Sequence, residues 1–179
     1  MTKSPDAGRT RQALREATMT SHERVDALFA DFALDTPQDY AAFLSAHGRA
    51  LSALEPAARP DQTRMPLLAQ DLAALDAPLP TPLPLEAQDS DGFRWGLLYA
   101  LEGSRLGGAF LARRVGAGLP HAYLSAAHGK GEWLAFQRAL DGAAAEGGEG
   151  WLEDAVQGAL AAFALFATAA TQQKAVAHG

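Results

Sequence analysis

His22 is the only histidine within the chain's first helical pattern, and the residues around it are spaced to act with it. Helical steps lead from His22 to Arg11, Arg15 and Thr18 on one side and to Asp26 on the other, all within about 40° of one direction. A carboxylate one turn from an imidazole fixes its tautomer and makes the ring a better metal donor. Two guanidiniums further back could neutralise an anionic ligand lying along the helix. The same residues also suit a packed or solvated histidine on a charged helix face. A second constellation lies in Trp95 to Arg114, where Gly103, Ser104, Gly107 and Gly108 fall within an arc of about 140°. Glycine inside a helix costs roughly 0.5–1 kcal/mol relative to alanine. The cluster therefore answers to a kink, a close helix crossing or a flat ligand resting on the main chain.

The elements that must position these residues are helical. From Leu14, apolar positions recur through Val25, Leu28, Phe29 and Phe32, giving a first helix that starts near Arg9. Residues 1–8 read as a flexible N-terminal arm, and 9–175 as one domain. Thr36 before Pro37 signals a second helix, with the stripe Tyr40, Phe43, Leu44, His47, Leu51 and Leu54, ending near Pro56. A short third helix covers Pro66 to Leu75. The proline-rich run from Asp76 to Gly92 predicts an extended connector. Asp89 or Ser90 then caps the glycine-bearing helix, which is expected to run to Gly116 or Gly118. An irregular turn, a helix over Glu132 to Leu140 and a mobile break through Gly150 precede a last helix from Trp151 to about Gln172. No stretch alternates as a strand does, so the fold class is all-α, a bundle of six or seven helices.

Composition narrows the function classes. A net charge of −6 over 179 residues and a pI near 5.3 leave no basic footprint for nucleic acid. The absence of cysteine removes disulfides, thiol catalysis and iron–sulfur ligation and suits a cytoplasmic location. The longest apolar run, Gly158 to Ala170, is short of the roughly 20 residues of a membrane span and reads as a buried core helix, so no membrane partner is expected. A carboxylate-bridged di-iron bundle needs Glu-x-x-His repeats, and no glutamate here has a histidine three residues on.

The segment Leu14 to Phe29, LREATMTSHERVDALF, resembles the proximal helix of haem oxygenases, and YALEGSRLGGAFL resembles their glycine-rich distal helix. The distal form is similar to that of bacterial members that accompany bacteriophytochromes. DYAAFLSAHGRALSALEP, RMPLLAQDLAAL, GEWLAFQRAL and AAFALF follow in the family's order, so the resemblance covers nearly the whole chain. It implies an all-α, single-domain bundle with haem held between a proximal helix and a glycine-kinked distal helix. It also implies degradation of haem to biliverdin, CO and Fe(II) by O₂ and reductant. Haem would be both substrate and cofactor, and the electrons would come from a ferredoxin, a reductase or ascorbate.

Carried over residue by residue, His22 matches the haem-iron ligand and Asp26 the acidic position one turn later. Gly103, Ser104, Gly107 and Gly108 match the distal wall, where backbone brought close to the haem directs oxygen to a meso carbon. Arg15 matches a propionate-binding position, Arg138 a second one, and Phe163 a pocket wall. Many relatives place an aspartate directly after the first distal glycine; with Ser104 there, the proton route is expected to run through water or backbone. Glu102 either borders the small-residue face or serves as a surface salt-bridge partner. Leu98 and Leu101 stand where some relatives carry distal tyrosines. The competing reading is a haem-binding carrier or sensor of the same fold without efficient turnover.

Overall fold

A computed structural model describes residues 8–177, so all but the last residue of the expected N-terminal arm lies outside the described residues. Six α-helices and one 3-10 turn form among them, with no strand: α1 (Arg9–Phe29), α2 (Pro37–Ala58), α3 (Met65–Ala74), α4 (Asp91–Leu111), the 3-10 turn (Ala112–Arg114), α5 (Glu132–Glu146) and α6 (Trp151–Ala177).

Local chemistry sets several of these boundaries. Pro37 occupies the first turn of α2, where its missing N–H costs nothing. Ser90 caps α4, its Oγ accepting the Phe93 N–H at 3.1 Å. The Glu55 carboxylate, late in α2, accepts the N–H groups of Arg64 and Met65 at 2.8 and 3.1 Å and so caps α3 from outside.

Three boundaries differ from the sequence expectation. α4 closes at Leu111, and the 3-10 turn finishes at Arg114 rather than at Gly116 or Gly118. α5 continues through the expected break to Glu146, because Ala143 and Ala144 pack on the small core of Leu14, Leu140, Trp151, Ala155 and Ala159. α6 reaches Ala177. At 27 residues it is, among the described residues, the one helix long and apolar enough to cross a membrane by length and composition. It packs as the central helix of the bundle, against α1, α2 and α4.

The α4–α6 crossing is unusually close. A Cβ built on Gly96 would run into the Ala155 carbonyl oxygen and stand 2.7 Å from the Ala159 nitrogen, and one on Gly158 would run into the Phe93 carbonyl. Gly92 similarly faces the Trp151 carbonyl. The two backbones are in direct contact at the N-terminal half of α4. By contrast α1 and α4 make little direct contact, and α6 bridges them. The space left between them holds the site.

Candidate functional site

A cavity of about 650 Å³, of a size that suits a small-molecule ligand, is lined by α1 through Arg15, Met19, His22 and Asp26 and by α4 through Gly103, Ser104, Gly107 and Gly108. The two constellations read from the sequence thus meet across one space. His22 Nδ1 lies 3.2 Å from Asp26 Oδ2, one helical turn on. Both side chains are more than half exposed, 59% and 69%, so the pair contributes little stability. Its effect is orientation: with the proton held on Nδ1, the lone pair of Nε2 is the one presented to a metal. Phe163 of α6 meets the imidazole edge-on, 5.6 Å between centroids, and lines the same cavity.

The small residues of α4 divide by position. A Cβ on Gly103 or Gly107 would meet nothing within 4 Å, whereas one on Gly108 would stand 3.2 Å from the Leu124 carbonyl oxygen. Helix crossing therefore accounts for Gly92 and Gly96, and open volume over bare main chain accounts for Gly103 and Gly107. α4 is continuous across all of them.

The cationic residues separate. Arg15 lines the cavity, and among the described residues no ion pair engages it. Arg138 lies exposed on α5 and does not line the cavity. Arg11 pairs with Asp141 at 3.1 Å and lines a neighbouring cavity instead.

Glu102 is not a surface residue. It is buried, 2.5 Å from His128 Nε2 and 3.4 Å from Arg105 Nη1. Arg105 goes on to donate to the Ala126 and Ala127 carbonyls at 3.1 and 3.2 Å. Glu102 projects about 100° round the helix from Gly103, onto the 121–131 loop, and that loop covers it. The network fastens the loop to α4.

One group at the site escaped the sequence reading. His47 of α2, Arg64 at the start of α3 and Tyr123 of the loop line the cavity together, and all three are buried. His47 Nδ1 lies 2.8 Å from the Tyr123 hydroxyl. Burial first, and the Arg64 charge second, push the His47 imidazole down to about 3. The ring is then neutral, and its Nδ1 shares a hydrogen bond with the Tyr123 hydroxyl. Burial raises the Tyr123 phenol, against the opposing influence of Arg64 and of a hydrogen bond with Ser104.

Tyr123 is held from every side. The Arg64 guanidinium lies 5.0 Å from the centroid of its ring. Asp71 of α3 accepts the Ala122 and Tyr123 N–H groups at 3.1 and 2.9 Å. The sequence carried one signal for this group: a histidine inside a fully apolar stripe needs a buried partner. Its partner stands 76 positions away in a segment without periodicity.

No protein-family model matches the chain. It is 38% identical over 115 residues to a haem oxygenase of Xanthomonas campestris, a match covering 59% of this chain and 66% of that relative, just under two thirds of its length. Its fold is similar to that of the NO- and CO-bound haem oxygenase of Neisseria meningitidis, with a TM-score of 0.78, 25% identity, and coverage of 92% of this chain and 91% of that one.

Proposed function

We propose that this chain is a bacterial haem oxygenase, as its likeness to the two haem oxygenases supports, and that it degrades haem to biliverdin, CO and Fe(II) with O₂ and an external reductant. The observation that carries the reading is the pairing, across one cavity, of an Asp26-oriented His22 with a helix face left bare at Gly103 and Gly107.

The residues fit haem. A flat macrocycle needs contact with main chain over an area, and the missing side chains at 103 and 107 leave that space open. Among the described residues no cluster of three or more His, Asp or Glu could hold a metal by itself. A single imidazole suits iron that arrives with four in-plane nitrogens of its own. Bound haem supplies the iron chemistry that activates O₂ and is itself the group oxidised.

The chain's residues supply position and protons. His22 would hold the iron through Nε2, the absence of side chains at Gly103 and Gly107 leaves room opposite it, and Arg15 would neutralise a propionate at the cavity edge. Ser104, Tyr123 and neutral His47 line the cavity together, and this polar group gives a proton route beside water and backbone.

Electrons come from a ferredoxin, a reductase or ascorbate, the protein works in the cytoplasm, and the glycine-rich form of α4 favours supply of bilin chromophore. A haem titration tests the binding half of the reading. Wild-type protein should saturate at one haem per chain, and His22→Ala should lose the histidine-ligated spectrum and recover it with added imidazole. An unchanged spectrum in His22→Ala would remove His22 as the ligand.

A further inference from the structure

A second cavity, of about 370 Å³, opens beside the first among α1, α4 and α5. Arg15, Tyr99 and Trp133 wall both, so a molecule anchored in the first cavity meets the second across these three side chains. Arg11, one turn before Arg15 and about 6 Å back along the helix axis, reaches only the second.

Arg11 is incompletely used where it stands. Its Nη2 meets Asp141 Oδ2 at 3.1 Å, but its Nε is buried without a partner, and so is Asp141 Oδ1. Guanidinium forks are normally filled bidentately by carboxylate. An orphaned buried donor carries a cost that a second carboxylate, drawing the guanidinium round, would relieve. The walls are largely aromatic and apolar: Trp133 and Phe136 stack at 5.7 Å between centroids, Tyr99 and Leu140 join them, and Gln12 and Gln137 each add an amide. Flat apolar walls with a cation at one end suit a conjugated molecule that bears a carboxylate arm.

We infer that this cavity is a subsite for the opened tetrapyrrole product, whose carboxylate passes from Arg15 to Arg11. The inference rests on the proposed haem-degrading activity. Closed haem is a rigid disc that one cavity holds in register. Once a bridge is cut the tetrapyrrole can lengthen and twist, and the adjoining space past Arg15 is where a propionate released from the register of the closed disc can go. Arg11 and Arg15, four residues apart on one helix face, supply two successive anchors for it.

The test is titration of folded protein with haem and, separately, with biliverdin, in wild type, Arg11→Met and Gln137→Glu. Arg11→Met removes the guanidinium. Gln137→Glu keeps the Arg11 guanidinium but puts in the cavity a carboxylate that competes for it and repels the ligand's own, so the two variants perturb the fold differently. Each variant should keep haem affinity within about twofold and lose about tenfold in biliverdin affinity, the scale of one charge-assisted hydrogen bond. Biliverdin affinity unchanged in both variants, or haem affinity falling in parallel, would overturn the subsite. Both ligands are supplied ready-made, so the comparison stands apart from turnover: wild type that binds both and makes no biliverdin contradicts the activity, not the subsite.

Discussion

The Tyr123 hydroxyl lies 2.8 Å from His47 Nδ1, and this contact joins a loop to a helix 76 residues earlier at the inner wall of the cavity. His47 is held down to about 3 by burial and by Arg64, far below the 6.5 of a free imidazole. An imidazole depressed in the folded state binds its proton more readily when unfolded. The stability it leaves intact above pH 6.5 is therefore lost as pH falls from 6.5 towards 3, at up to about 1.4 kcal/mol per pH unit. His47→Gln keeps an acceptor for Tyr123 without the titration. Denaturant unfolding followed from pH 7 to 4 should show a shallower acid slope in His47→Gln than in wild type; equal slopes would contradict a neutral buried His47.

Gly103→Ala and Gly96→Ala should part company. At Gly103 the added methyl meets open space and improves helix propensity, so the apoprotein should be unchanged or more stable by up to about 1 kcal/mol, with haem affinity and turnover reduced. At Gly96 the methyl meets the backbone of α6, so stability should fall by about 1–3 kcal/mol or more. Thermal melts and haem titrations of the two apoproteins check the pair. A destabilised Gly103→Ala with normal haem binding would place the crossing at the wrong glycines.

Ser104→Ala should lower turnover by about a hundredfold, the low end of what a positioned proton donor contributes, with haem affinity within twofold of wild type. Tyr123→Phe should do the same in part and should not add to Ser104→Ala, because both belong to one polar group. Steady-state rates in the two single variants and the double variant check this. Full activity in Ser104→Ala would return the proton route to water and backbone alone.

Asp26→Asn should weaken haem binding or turnover by about 10–100-fold, as loss of a partner that orients a ligating histidine does. Fold stability should be untouched, since the His22–Asp26 pair is exposed. Haem affinity and unfolding midpoints, measured on the same samples, separate the two effects.

The halves of the site that lie along single helices were legible in the chain. Helical spacing alone aligns Arg15, His22 and Asp26, and gathers Gly103, Ser104, Gly107 and Gly108 on one face; all of them line one cavity. Spacing also put His47 on a buried stripe, correctly, but periodicity encodes burial and not partners. Tyr123, Arg64 and His47 meet only because α2, α3 and the loop fold onto one another. Asp71 and Glu55 fix that meeting by capping backbone far away in sequence.

The same limit explains Glu102 and the glycines. Helical angle sets Glu102 at the edge of a face, and the covering loop that buries it has no pattern to read. Gly96 and Gly103 have equal propensity cost; only the position of α6 decides that one is a crossing and the other a platform. α5 outran its expected end because tertiary packing of Ala143 and Ala144 offset the local break.

The central claim is that the cavity turns haem over instead of merely holding it. Protein loaded with haem under anaerobic conditions, then given O₂ and reductant in a single turnover, should lose its Soret absorption as a bilin band rises and CO is released. A Soret band that persists with no bilin absorption would identify a haem carrier or sensor built on the same fold.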